Sequence, residues 1–130
     1  MNDFSNFMRE RDRAASAYCQ GDAAPVNALT TKQDPVSFFG PDGHSVQGAD
    51  DIKAAFSKGA AAFGVNGKSH LEIVQSGSGD DIAYWCGFQY AEVDMDGKMV
   101  PMSLRITELF RREEGAWKLV HRHADMAKAS

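Results

Sequence analysis

The residues of this chain best suited to chemistry stand near its C-terminal end: Arg105, Thr107, His121 and His123. Arginine offers a rigid fork of donors to a carboxylate or another anionic oxygen, and histidine changes protonation near neutral pH. Side chains alternate along a strand, so Arg105, Thr107, Leu109 and Arg111 share one face, and Leu104, Ile106, Glu108 and Phe110 the other. Trp117, Leu119, His121 and His123 form a second row of the same kind. A hairpin turn at Glu113 to Gly115 makes the two strands neighbours, which predicts Arg105 beside His121 or His123 as a polar cluster facing a pocket. The chemistry expected there is cofactor-independent proton transfer, with His123 as acid or base and Arg105 stabilising negative charge as it develops. The alternative is structural: Arg105 paired with an acid such as Glu92 or Glu108, and the histidines satisfied as ordinary polar groups.

Asp34 stands at the mouth of an early hairpin and Asp125 just beyond the second histidine, so either is a candidate general base. Turn and capping roles explain Asp34 equally well, and a surface position explains Asp125. Tyr84, Phe88 and Tyr90 share one strand face with Trp85 opposite, and Phe38 or Phe39 is expected to meet one of these rows. Such rings suit a flat, partly apolar ligand, and they equally suit ordinary core packing. No third ligand is placed by spacing beside the two histidines, so no metal is expected. Ser37, Ser45 and Ser103 lack a nucleophile elbow. Ser76-Gly77-Ser78-Gly79 joins two strands rather than opening a helix, so neither a phosphate cradle nor a cofactor is expected.

The elements that must hold these residues follow from periodicity. Phe4, Phe7, Met8, Ala14, Ala15, Tyr18 and Cys19 recur at helical spacing, with Asp3 or Ser5 to start the helix and Gly21 to end it. Asp22 and Pro25 predict a short second helix to about Leu29. Residues 36–39 and 44–47 flank Gly40-Pro41-Asp42-Gly43 as a small hairpin, and Ile52, Ala55, Phe56, Ala60 and Phe63 mark a third helix that begins at Asp50 and Asp51. From Ser69 the pattern changes to alternation, with turns at residues 76–79, 96–97 and 114–115, which predicts a four-stranded antiparallel meander. Residues 82–94 and 98–112 make strands long enough that the sheet must curve with its accumulated twist. The expected fold class is α+β, in the order α-α-β-β-α-β-β-β-β, with a curved sheet wrapped around a long helix and a cavity at its open end.

A chain of 130 residues is expected to make a single domain over 1–130. With 43% hydrophobic and 25% charged residues its composition argues against disorder. A net charge of −4 disfavours nucleic acid as a partner, and Arg9 to Arg13, like Arg111 with Arg112, read as solvated faces. No apolar run approaches the roughly 20 residues of a membrane helix, and no signal peptide is visible. Cys19 and Cys86 read as reduced thiols, consistent with an expected cytoplasmic location.

The C-terminal residues Arg105, Thr107, Gly115, Trp117, His121 and His123, spaced as Arg-x-Thr, seven residues, then Gly-x-Trp-x-x-x-His-x-His, resemble the closing hairpin of SnoaL-like proteins. They are also similar to the association domain of calmodulin-dependent kinase. The stretch Phe38-Phe39-Gly40-Pro41-Asp42-Gly43, with Gly48 and a helix after it, resembles the early hairpin of the same nuclear transport factor 2-like superfamily. The resemblance implies a cystatin-like cone with an internal pocket, commonly a homodimer through the outer face of the sheet. Apolar residues on both strand faces agree with that partner. It also implies a small-molecule ligand and, where such a protein is an enzyme, an isomerase, cyclase or dehydratase; the other possibility is a non-catalytic assembly module. The base that ketosteroid isomerases carry on the first hairpin strand falls here near Phe38 or Phe39, which argues against steroid-type chemistry.

Overall fold

The computed structural model describes residues 3–128, so residues 1, 2, 129 and 130 of the expected domain lie outside the described residues. Helices α1 (Asp3–Cys19), α2 (Ala24–Leu29) and α3 (Ala49–Ala61) combine with strands β1 (Ser37–Phe39), β2 (Ser45–Gln47), β3 (Lys68–Ser78), β4 (Ile82–Met95), β5 (Lys98–Glu113) and β6 (Ala116–Met126). The fold is α+β, with its helices against a six-stranded sheet ordered β2-β1-β6-β5-β4-β3. Strands β3 to β6 form the antiparallel meander. The small hairpin joins it through β1, which runs parallel to β6 and sets Phe39 opposite His123.

Local sequence explains the turns. Asp96-Gly97 and Glu114-Gly115 all have positive φ, the conformation of a tight hairpin turn that matches strand twist. Two bulges bend the sheet. One leaves Val74 unpaired between Ile73 and Gln75 of β3, and the other leaves Val120 extra where Leu109 pairs with His121 but Phe110 pairs with Leu119.

The bulge at Val120 decides which side chains enter the cone. Before it, Trp117 and Leu119 face inward; after it the phase reverses, Arg122 and Ala124 are buried, and His123 is exposed. The sequence expectation that Trp117, Leu119, His121 and His123 share a face is corrected by that one extra residue, since a one-residue slip turns every later side chain over.

The interior has two ends. Where α1 begins, Phe4 and Phe7 pack on Phe110, with ring centroids 5.7 and 4.9 Å apart, and Phe4 meets Trp117 edge-on at 5.8 Å. Burying rings of this kind stabilises the fold by about 1.5–3 kcal/mol each, so this end is sealed by the protein itself. Toward the end of α1 the small side chains Ala14 and Ala15 and the charged Arg11 enter the interior, and Tyr18 meets Phe56 and Phe63 edge-on.

Candidate functional site

Arg11 lies in the buried stripe of α1, between Met8 and Ala14, and is 3% exposed. It corrects the reading of residues 9–13 as a solvated face. Glu108 interrupts the inward row Leu104, Ile106, Phe110 of β5, and no part of its side chain reaches solvent. Arg11 meets it as a two-pronged ion pair, Nε to Oε1 at 2.9 Å and Nη2 to Oε2 at 2.8 Å. The indole N–H of Trp85 donates to Oε1 at 2.8 Å, and Nη1 of Arg122 donates to Oε2 at 2.6 Å. Arg122 Nη2 donates in turn to the Gln89 carbonyl oxygen at 2.9 Å, and the Gln89 amide donates to Ser69 Oγ at 3.0 Å.

Burial alone would raise the pKa of Glu108, but the two guanidinium charges and their hydrogen bonds hold it down at about 2. Glu108 is therefore an ionised, fully occupied anchor. Burial lowers the value for Arg122 and the Glu108 charge pulls it back up. Two arginines against one glutamate leave this buried cluster with one surplus positive charge. The other buried carboxylate, Asp94, is committed elsewhere, accepting from Asn66 and from the backbone N–H of Gly97.

Arg11, Gln89 and Arg122 form the polar floor of a cavity of about 210 Å³. Its walls are apolar, with Ala15, Val26, Phe56 and Leu104 among them, and half-buried Phe38, Phe63 and Met102 with exposed Pro41 bring it to the surface. Tyr18 and Cys19 line it too, and burial raises the values of both, which keeps them neutral. Among the described residues no acceptor lies within hydrogen-bond reach of Arg11 Nη1, although that atom is buried. An unmet buried donor of this kind costs about 1–3 kcal/mol or more. Larger clefts of about 320 and 580 Å³ lie between α1 and β3 and between α2 and α3; half-buried Asp12, whose Oδ1 is buried without a partner among the described residues, lines the first, and the charged residues lining the second are exposed.

The residues expected to carry chemistry lie mainly on the other side of the sheet. Arg105 is 63% exposed and holds Asp125 through two bonds of 2.6 Å, so its expected place inside the cone is corrected. It pairs with an acid, as in the structural alternative, but with Asp125 rather than Glu92 or Glu108. Thr107 is exposed opposite His123, and Phe88 borders the same open groove. His121 Nδ1 is 2.7 Å from Ser37 Oγ, and partial burial, followed by the neighbouring His123, lowers its pKa. The edge of Phe39 packs on both histidine rings, at 4.8 and 5.6 Å. Tyr84 and Tyr90 are also outward, bonded to Gln75 and Glu72, and Phe88 stacks on Tyr90 at 5.9 Å. Asp34 accepts from the backbone N–H of Ala49 at 2.9 Å, which secures the start of α3. Of the rings expected to meet a ligand, Trp85 and Phe38 point inward; Trp85 is spent on Glu108, and Phe38 lines the cavity against Phe56. The structure thus brings Arg105, Thr107, His121 and His123 onto one face as expected, but onto the outer one.

A strongly curved sheet closed by helices around one polar-floored cavity defines the nuclear transport factor 2-like, cystatin-like class. Residues 11–128 match the SnoaL-like domain family, and the chain belongs to that family. Among solved structures it is similar to a nuclear transport factor 2-like superfamily protein from Salmonella enterica serovar Typhimurium, with a TM-score of 0.78 at 16% identity over 97% of this chain and 92% of that one. A ketosteroid isomerase-like protein from Erwinia carotovora atroseptica gives 0.67 at 18% identity over 87% of each chain. The CaMKII hub of S. rosetta gives 0.70 at 19% identity over 93% and 94%. No curated protein matches the sequence. At such identities these likenesses show the fold alone, and one fold hosts many activities.

Proposed function

We propose that this protein binds a small, partly apolar molecule bearing an acidic or carbonyl oxygen, held in the cone by Arg11 and Arg122. The observation that carries this reading is the buried, unpartnered Nη1 of Arg11, a residue of the polar floor of a cavity with largely apolar walls. Binding is favoured over proton transfer because Glu108 is held ionised by its four donors, while Tyr18 and Cys19 are held neutral. A fragment screen by ligand-detected NMR tests this. Oxygen-bearing fragments should bind the native protein and be lost in Met102→Trp, which fills the rim. No hits, or hits indifferent to that substitution, would reject the pocket.

Self-association through the outer sheet face is the second reading, and it answers to the assembly alternative. Phe39 at 41%, Leu109 at 38% and Tyr90 at 42% exposure lie on that face, beside the half-buried Tyr84 and Phe88. Aromatic rings in one patch are what an isologous interface buries. Sedimentation equilibrium should give a homodimer that Leu109→Glu converts to monomer without unfolding it; a native monomer at all concentrations would end this reading. The free thiols of Cys19 and Cys86 fit the proposed cytoplasmic location.

A further inference from the structure

Charge balance inside the cavity narrows the ligand class, and this step rests on the pocket reading above. We infer that the site selects a singly charged carboxylate of about the size of benzoate, over both its neutral isostere and a dianion of similar shape. Size comes first: a dry cavity of about 150 Å³ accepts benzene, so one of about 210 Å³ takes a single ring or a branched chain with a carboxylate attached.

Charge decides the rest. The ionisable groups that line the cavity or bond to its floor are Arg11, Arg122, Glu108, Tyr18 and Cys19. The last two are neutral, so the balance is one positive charge, held by two buried arginines around one carboxylate. A monoanion closes that balance to zero and gives Arg11 Nη1 its acceptor. A neutral amide or ketone leaves the positive charge uncompensated. A dianion replaces it with a buried negative charge, which is as unfavourable as the one removed. Glu108 therefore acts as a positioning and selecting residue: it holds both guanidinium groups in place and cancels one of their charges.

The test is calorimetric titration of the full chain with benzamide, benzoate and phenylphosphonate, the last in mildly alkaline buffer where it is a dianion. The Trp85 indole N–H resonance serves as a second readout, because that group donates to Glu108 at the floor. Benzoate should bind at least about tenfold more tightly than either analogue and shift the Trp85 resonance. In Glu108→Gln the surplus rises by one charge, and phenylphosphonate should overtake benzoate. Should that variant fail to fold, the ranking on the native protein decides by itself. Benzamide binding as well as benzoate, or phenylphosphonate binding better to the native chain, would overturn the selection rule while leaving the pocket intact. Failure of all three to bind, together with an empty fragment screen, would remove the pocket reading as well.

Discussion

The two faces of the sheet each carry an arginine forked onto a carboxylate, and the pairs are nearly alike in geometry. Arg11 meets Glu108 at 2.9 and 2.8 Å, and Arg105 meets Asp125 at 2.6 and 2.6 Å. They differ in solvent. The inner side chains are 3% and 0% exposed, the outer ones 63% and 42%. Inside, each charge has lost its hydration and depends on its partner; outside, water and salt replace the partner at little cost. Bond length therefore ranks these two pairs the wrong way round, and burial ranks them correctly.

The largest effect that sharpens this contrast comes from Glu108→Ala. It leaves the buried Arg11 guanidinium and the Trp85 indole without an acceptor and Arg122 with Gln89 alone, so stability should fall by about 3–5 kcal/mol in urea denaturation. Replacing the cluster as a unit, with Arg11→Met, Glu108→Leu and Arg122→Met together, should restore most of that loss, because matched apolar groups need no compensation. Anion binding should vanish in the triple variant. A stable triple variant that no longer binds would show that the cluster is kept for recognition; one as unstable as Glu108→Ala would mean that it chiefly holds the fold.

Acid comes next in size. The carboxyl of Glu108 falls from an ordinary 4.5 to about 2 on folding, so the folded state favours its ionised form. That contribution, about 3 kcal/mol, is complete above roughly pH 4.5 and is lost as pH falls through 2. Asp125 is also lowered, by the hydrogen bond from Arg105, but it stands in water where screening discounts the effect. Melting temperature measured from pH 5 to 2 should drop steeply in the native protein and equally in Asp125→Asn. A slope that disappears with Asp125 would assign acid sensitivity to the outer face.

The element order, the turns at Asp96-Gly97 and Glu114-Gly115 and the long strands were legible because periodicity and Gly-containing turns are local signals, whereas the turn expected at residues 76–79 falls at 79–81, since β3 stays paired through Ser78. Pairing of Arg105's row with the histidine strand was legible too, and Thr107 does stand opposite His123. Which side of β6 turns inward beyond Leu119 was not, because the bulge at Val120 has no strong local mark and reverses the phase between Leu119 and Arg122. Two signals still pointed to the inner cluster. Glu108 is the one charge in the apolar row Leu104, Ile106, Phe110, and Arg11 falls in the gap of the α1 stripe between Met8 and Ala14. A lone charge repeated on two apolar faces marks partners that must find each other, since neither can be buried alone.

The smallest effect belongs to the outer pair, and it carries the other half of the comparison. Arg105→Ala should change the melting temperature less than any variant above, since Asp125 is rehydrated where it stands. Its influence should instead appear in association. Arg105 and Asp125 share the face with Phe39, Leu109 and the two histidines, so a dimer built there would draw the ion pair out of water. Sedimentation equilibrium at low and high salt separates the cases. If the pair is buried between copies, Arg105→Ala weakens the dimer and reduces its salt dependence. If the pair stays at an open surface, dimer stability is unchanged, and the apolar residues alone account for association.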